Sequence, residues 1–356
     1  MYGKKSLDEM VKELERQKTN RYDVVVPSDA LKVSVDVGTN VIKMGLPDIN
    51  GMPNEFGITK LAHSQISNKT GIPLNYYKRM QDEKPELLAT NVNTWLPDRE
   101  KRLIRVLDND VRAMLSDRYR IIDNYDILFA SLEELNKIKN TGIEVNIKEC
   151  SITESHMYIK ITSPDITGEV FHYRGKTEPV ESGIIISNSE VGAGAFRVEP
   201  FMNVLVCQNG LIGEHKLSKV HLGKERGVGV IDWSDQTLEY QDMTLWSELK
   251  DLITGTFSPT IFNQWLDKIN GVASNEVVKP MIAIDHIIKR YDLPKPMKDN
   301  LINQFMRESP TQWGLSMAVT QLAQKEQDYD KQINMERIGA KILNEPVEVY
   351  AFTGGD

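Results

Sequence analysis

The stretch "SNSEVGAGAFRVEPFMNVLVCQNGLIGEH", residues 187–215, combines strand-forming residues with a glycine-rich interruption. Val and Phe recur on both sides of Gly192-Ala193-Gly194, which is typical of two strands joined across a bend. The glycines would permit a bulge or the close approach of another backbone. We therefore expect two central strands here, with Cys207 packed inward and Asn209-Gly210 forming the turn that follows.

The same stretch does not have the pattern of a nucleotide site. A dinucleotide-binding turn needs a third glycine and a helix after it, whereas Gly194 is followed by Ala195, Phe196 and Arg197 and by a strand pattern. A phosphate-binding loop would end in Gly-Lys-Ser or Gly-Lys-Thr, and neither occurs here. We predict that no cofactor binds at this bend.

Further strands are indicated on the amino-terminal side of this stretch. Residues 23–46 are rich in Val and interrupted by Pro, Asp and Gly, which predicts short strands and turns. Residues 101–120 form two apolar runs around Asp108-Asn109-Asp110, a pattern typical of a hairpin. Residues 143–163 alternate as two strands around residues 153–155. The middle of the chain is therefore predicted to be a sheet.

Helical spacing flanks these strands. Ser6 with Glu9 three residues later predicts a capping box at the start of the first helix. Residues 56–81 predict two short helices joined at Gly71, with Thr59 as the first cap. A helix-turn-helix is the alternative interpretation of this pair, but a helical layer packed on a sheet accounts for it equally well and is the commoner arrangement. Another helix is expected over residues 123–138.

From residue 232 the hydrophobic period changes to three or four residues, and successive helices are predicted to the end of the chain. The expected fold class is α+β, with a mixed or antiparallel central β-sheet, flanking helices and a helical C-terminal region. We place the boundary between a core domain over residues 1–231 and the helical region over residues 232–356.

The composition is typical of a folded protein without membrane-spanning segments. Of the 356 residues, 40% are hydrophobic and 26% are charged, which argues against disorder. Two cysteines are too few for a disulfide framework and are expected to be small buried hydrophobes. No segment has the roughly 18 apolar residues of a membrane span, and no secretory leader is evident. These features predict a cytoplasmic protein.

Metal and catalytic patterns are weak. Cys207, Glu214, His215 and His221 lie close in sequence, but their spacing fits no standard zinc site. No Gly-x-Ser-x-Gly motif occurs, so no nucleophile is indicated. We predict no metal site and no catalytic residue. A metal-dependent enzyme that uses Cys207, His215 and His221 remains an alternative.

The basic residues are unevenly distributed in a chain whose formal net charge is −8. Between Arg99 and Arg120, seven basic residues stand against four acidic ones. Guanidinium groups bind phosphate in two-point geometry and a tyrosine offers a stacking face, so this cluster suits a groove for single-stranded nucleic acid. The alternative is a sheet face that carries Arg–Asp pairs. The residues that we predict to contact nucleic acid are Arg102, Arg105, Arg112, Arg118, Tyr119, Arg120, Arg197, Lys216 and Lys219.

Four segments resemble the domain-of-unknown-function family 932, whose members are described as phage/plasmid-like proteins. They are Gly71-Ile72-Pro73 followed by two tyrosines, residues 112–124, residues 187–210, and residues 313–323. Together they extend over nearly the whole chain. The sequence departs from the family pattern at Gln208, Met317 and Gln321, where Thr, Asn and Glu are expected.

The resemblance implies a setting rather than an activity: a bacteriophage or plasmid gene, a bacterial cytoplasm, and DNA replication or recombination. In outline such a protein is similar to single-strand annealing proteins of the RecT kind, although a fold does not fix a function. Our first hypothesis is a non-enzymatic, homo-oligomeric protein that binds single-stranded DNA in recombination or replication, with host or phage replication proteins as further partners. The alternative is a structural or regulatory protein that acts through protein contacts of its helical region.

Overall fold

The structure is a computed structural model that describes residues 3–47, 54–97, 100–206, 210–213, 217–219 and 235–350. These ranges contain two β-sheets and eleven α-helices, so the α+β class and the helical C-terminal region are confirmed. We call the six-stranded sheet "sheet 1" and the seven-stranded sheet "sheet 2". No helix in this part of the chain is long and apolar enough to cross a membrane.

The chain begins with strand β1 (Gly3–Lys5) and helix α1 (Leu7–Asn20). The predicted capping box is present, because Ser6 Oγ accepts from the Glu9 N–H and the Glu9 carboxylate accepts from the Ser6 N–H. Two orphan donors at the start of the helix are thereby satisfied. The buried side chains of Met10 and Leu14 fix the inner face of α1 against sheet 2.

Sheet 1 is built from one continuous part of the sequence. Its strands are β2 (Arg21–Pro27), β3 (Lys32–Val35), β4 (Ile42–Gly45), β5 (Glu55–Ile58), β6 (Lys101–Leu107) and β7 (Asp110–Ser116). They lie in the order β2-β6-β7-β5-β4-β3. All neighbours are antiparallel except β5 and β7, which are parallel. The predicted hairpin at Asp108 is confirmed as the β6–β7 pair, and Asp108 adopts the left-handed conformation of a tight turn.

Three helices cover sheet 1: α2 (Lys60–Thr70), α3 (Leu74–Glu83) and α4 (Pro85–Trp95). Thr59 caps α2, and Gly71 ends it with a φ of 68°, a conformation that favours glycine. Buried side chains such as Ile66, Tyr77 and Leu88 pack with strand residues in one core. The two helices around Gly71 are therefore a helical layer on a sheet.

Sheet 2 follows helix α5 (Asn124–Asn140). Its strands are β8 (Asn146–Ile152), β9 (Met157–Tyr173), β10 (Lys176–Asn188), β11 (Phe196–Val204), β12 (Gly210–Ile212) and β13 (Leu217–Lys219), with β1 at the edge. The order is β1-β8-β9-β10-β11-β12, with β13 also paired to β11, and every pairing is antiparallel.

The C-terminal helices are α6 (Asp235–Thr256), α7 (Pro259–Ala273), α8 (Pro280–Arg290), α9 (Met297–Phe305), α10 (Gln312–Ala323) and α11 (Tyr329–Asn344). Leu249 of α6 and Phe262 of α7 belong to the core of sheet 2. Helices α8 to α11 form a further core of their own around Ile287, Leu301 and Ile338.

The structure differs from the expected organisation in three respects. Residues 1–231 contain two sheets with separate hydrophobic cores, where we expected one central sheet. The predicted boundary at residue 232 lies outside the described residues, and α6 and α7, which follow it, pack in the core of sheet 2. Helices α4 and α7 were not predicted, although the buried residues of α7, Phe262, Leu266 and Ile269, recur at helical spacing.

Candidate nucleic-acid interface

Arg105 is fully buried and cannot contact a nucleic acid in this structure. Its Nε and Nη2 each donate to an oxygen of Asp23 at 2.9 Å, and its Nη1 donates to the main-chain oxygen of Glu190 at 2.7 Å. Burial alone would lower the pKa of Arg105, but the Asp23 hydrogen bonds and the surrounding carboxylates raise it above its ordinary value. The guanidinium is a charged cross-link inside the protein, so the predicted phosphate contact is withdrawn.

Arg102 is also removed from the predicted interface. Only 3% of its side chain is exposed, and its guanidinium is ion-paired with Glu100. A phosphate would have to displace this carboxylate and reach a buried group. A contact with nucleic acid requires an accessible face of β6, whereas every residue from Arg102 to Leu107 is buried.

Arg112 is buried in the same region but has a different environment. Its Nη2 donates to Glu190 Oε2 at 2.6 Å, and 8% of its side chain is exposed. Its Nε has no hydrogen-bond partner within the described residues. A long single strand cannot reach this guanidinium, so Arg112 too is withdrawn from the predicted track.

Glu190 organises the junction between the two sheets, although the sequence did not single it out. Its carboxylate accepts from Arg112 of β7 and, at 2.7 Å, from the backbone N–H of Asn124 at the start of α5. Arg21 Nη1 of β2 lies 3.6 Å away. One acidic residue among 51 gives no sequence signal, and its importance follows only from the approach of the two sheets.

Loop 189–195, which joins β10 to β11, is confirmed as a glycine bend that allows close approach. Gly192 has a φ of 73°, and a Cβ there would lie 2.5 Å from Leu115 of sheet 1. A Cβ on Gly194 would lie 2.5 Å from His156 Nε2. The glycines therefore let this loop fit between β7 and the β8–β9 turn.

The segment that follows β7 is tied to this loop. Tyr119 Oη donates to the main-chain oxygen of Ser189 at 2.9 Å, and its ring packs with Val191. Burial raises the pKa of Tyr119 above its ordinary value. Because the Tyr119 ring packs against the cluster that contains Val191, it holds residues 118–120 against the loop. The ring is therefore not placed to stack on a base.

Arg118, Arg120 and Arg197 remain as surface cations beside the loop, and we call them the cationic rim. Asn188 Nδ2 donates to the main-chain oxygen of Ile122 at 2.9 Å, which ties residues 118–122 to the end of β10. Arg197 is the second residue of β11 and lies directly opposite Ser187 of β10. Arg118 is exposed, whereas Arg120 and Arg197 are half-buried. Burial lowers the pKa of Arg120, so a nearby anion would favour its charged form.

The remaining predicted contacts are only partly described. Lys219 ends β13, and its backbone lies opposite Phe196, next to Arg197. The structure describes only the backbone of Lys219, and Lys216 lies outside the described residues.

The metal alternative cannot be placed either, because Cys207, Glu214, His215 and His221 are outside the described residues. Within the described ranges, no three His, Cys, Asp or Glu side chains are grouped as metal ligands. Cys150 is buried as expected for a small hydrophobe, and burial raises the pKa of its thiol to about 11.

Comparison of the chain with family models, curated proteins and solved structures found no match. The family resemblance drawn from the sequence therefore stays a prediction.

Proposed function

We propose that this protein binds single-stranded nucleic acid through the cationic rim of Arg118, Arg120 and Arg197. The observation that carries the proposal is the hydrogen bond between Asn188 and the Ile122 carbonyl, which brings two distant basic segments to one end of sheet 2. Arginines on an otherwise acidic protein concentrate positive potential locally, and guanidinium groups bind phosphate in two-point geometry.

The cationic rim has three of the nine contact residues expected from the sequence, so the expected affinity for a single strand is lower. Three phosphate contacts give a shallow salt dependence, with a slope of log K against log salt of about −2 for a single strand. Asp117 is exposed next to Arg118 and reduces the local positive charge. A monomer would therefore bind weakly, and several copies on one strand would raise the affinity by avidity.

The family resemblance supports a setting for this activity. We place it in recombination or replication of a phage or plasmid, in the bacterial cytoplasm, with the protein acting as a homo-oligomer beside host or phage replication proteins. Strand annealing is the specific reaction that such a protein would promote, and it requires no catalytic residue and no cofactor.

A second function through protein contacts is favoured by an apolar surface at the start of α8. Val278, Met281 and Ile282 are 62%, 51% and 47% exposed, although they are large hydrophobic residues. Exposed apolar groups that cluster are typical of interaction sites. This function predicts indifference to nucleic acid.

The test is a fluorescence anisotropy titration of labelled single-stranded and double-stranded oligonucleotides at two salt concentrations. We expect salt-sensitive binding that prefers the single strand. Replacement of Arg118, Arg120 and Arg197 together by Ala should lower affinity for all sequences alike and remove most of the salt slope.

The matched control is Arg79→Ala, because Arg79 is an exposed arginine of α3, paired only with Glu83 at 3.2 Å. It should leave the titration unchanged. Flat curves for the unmodified protein at low salt would overturn the proposal and favour the protein-contact function. An equal loss per charge removed in the triple variant and in Arg79→Ala would show that net charge alone, and not the rim, determines binding.

A further inference from the structure

A cavity of about 220 Å³ lies between α1 and the β6–β7 hairpin. Arg112 and Asp110 of β7 line one wall, and Glu13 and Arg16 of α1 line another. Ligand pockets for drug-sized molecules are larger, at roughly 300 to 1,000 Å³. The space therefore suits a small molecule and excludes a polymer segment.

The side chain of Arg112 faces this cavity with donors that the protein does not use. An arginine carries five N–H donors, and here Nη2 alone has a partner, Glu190. Nε is buried without a partner, and Nη1 makes no hydrogen bond within the described residues. Buried polar groups are nearly always satisfied, so the geometry indicates an acceptor that the described residues do not supply. A carboxylate matches a guanidinium edge.

The acidic residues of the cavity differ in how far they are already neutralised. Arg16 Nη1 donates to both oxygens of Asp108 at 2.7 and 2.9 Å, and its Nε and Nη2 donate to Glu13 at 3.1 and 2.9 Å. Asp110, by contrast, lines the cavity and has no hydrogen bond or ion pair from its side chain within the described residues. Asp110 is thus the cavity's unengaged anion.

Asp110 and Arg112 are two residues apart on β7, and both line the cavity. The unpartnered Nε of Arg112 and the unengaged carboxylate of Asp110 therefore face one small space. A bare phosphate would meet three carboxylates on the walls, and a bare amine would meet Arg112. A ligand that carries both charges on neighbouring atoms complements the pair.

We propose that this cavity binds a free α-amino acid, with the carboxylate on Arg112 and the ammonium group at Asp110. The amino-acid side chain would occupy the remaining space beside Leu107 and Thr59, which also line the cavity. Because Arg112 is ion-paired with Glu190 of the β10–β11 loop, an occupied site would also brace the junction between the two sheets.

A larger groove of about 410 Å³ between α9 and α10 does not support the same argument. Its cations, Arg307 and Lys325, are exposed to solvent and need no ligand to satisfy them.

The experiment is thermal unfolding of the full chain with each of the twenty amino acids in turn, followed by isothermal titration calorimetry of those that raise Tm. Acetate and methylamine, which carry one charge each, are the paired probes. We expect at least one amino acid to raise Tm by several degrees at millimolar concentration, and both single-charge probes to do less.

Asp110→Asn is the decisive variant, because Asp110 is exposed and its replacement leaves the fold intact. It should weaken the binding of that amino acid at least tenfold, as should Arg112→Lys, which keeps the charge but loses the planar edge. Asp82→Asn, an exposed aspartate of α3, should bind as the unmodified protein does. The proposal is overturned if no amino acid raises Tm, or if Asp110→Asn binds with unchanged affinity.

Discussion

Arg112 Nη2 lies 2.6 Å from Glu190 Oε2, and this ion pair joins a strand of sheet 1 to a loop of sheet 2. Only 8% and 5% of the two side chains are exposed. A buried pair whose partners belong to different sheets couples the stability of one sheet to the position of the other. Its energetic weight is measurable by removing one partner at a time.

Glu190→Ala should lower the free energy of unfolding by about 3 to 5 kcal/mol, because it leaves Arg112 buried without its carboxylate. The Asn124 N–H at the start of α5 also loses its acceptor. Urea denaturation monitored by tryptophan fluorescence measures the change. Glu83→Ala removes an exposed i,i+4 pair with Arg79 and should cost less than about 0.5 kcal/mol. A similar small cost for both variants would show that the junction does not depend on Glu190.

The Asp23–Arg105 pair should respond asymmetrically to substitution. Arg105 is fully buried, whereas 22% of the Asp23 side chain is exposed. Asp23→Leu leaves a buried cation and should cost about 3 kcal/mol or more, whereas Arg105→Met leaves a carboxylate that reaches water and should cost less. The double variant should be more stable than Asp23→Leu alone. Strict additivity in the double-mutant cycle would contradict this account.

Gly192→Ala should destabilise the protein by about 1 to 3 kcal/mol. The left-handed backbone alone costs an L-residue about 1 to 2 kcal/mol, and the added Cβ would lie 2.5 Å from Leu115. Gly271 of α7 is the matched control, because no atom lies within 4 Å of a Cβ at that position. Gly271→Ala should be neutral or stabilising by up to about 1 kcal/mol. Thermal unfolding compares the two, and equal effects would contradict the close approach of the loop.

His63 should make the protein sensitive to mild acid. Burial lowers the pKa of His63 from 6.5 to about 4, and its Nδ1 lies 2.8 Å from Tyr77 Oη. Above pH 6.5 both states are neutral and the residue contributes nothing. As the pH falls from 6.5 to 4, His63 binds a proton in the unfolded chain but stays neutral in the folded protein. The free energy of unfolding therefore falls by up to about 3 kcal/mol.

His63→Gln should flatten this dependence. Urea denaturation at pH 7, 6 and 5 measures it as the difference in slope between the variant and the unmodified protein. Equal slopes would show that His63 titrates normally in the folded state.

The sequence predicted those elements of the fold that a single local pattern determines. The capping box of Ser6 and Glu9, the junction of two helices at Gly71 and the hairpin at Asp108 all depend on local geometry, and all three are confirmed. The alternation of residues 143–163 likewise gave β8 and the first part of β9. Local patterns do not state which strands share a sheet, so the division into two sheets was not predicted.

For the candidate site, the sequence could not show which arginines are exposed and which are buried in ion pairs. An excess of arginine in sequence looks the same whether the guanidinium groups face water or lie buried opposite carboxylates. Arg105 finds Asp23 across 82 positions of chain, and Arg112 finds Glu190 across 78. Such pairs depend on tertiary approach, which no window of sequence contains. Arg118, which follows the end of β7, is exposed, and Arg197, near the start of β11, is half-buried.

The position of β1 in sheet 2 determines which sheet can form first while the ribosome synthesises the chain. Lys5 lies opposite Cys150, whereas every strand of sheet 1 comes from residues 21–116. Sheet 1 can therefore close while the nascent chain is still growing. The first strand and the apolar side of α1, with Met10 and Leu14, must wait unprotected until β8 has emerged from the exit tunnel. During that interval Met10 and Leu14 form exposed apolar surface of the kind that chaperones bind.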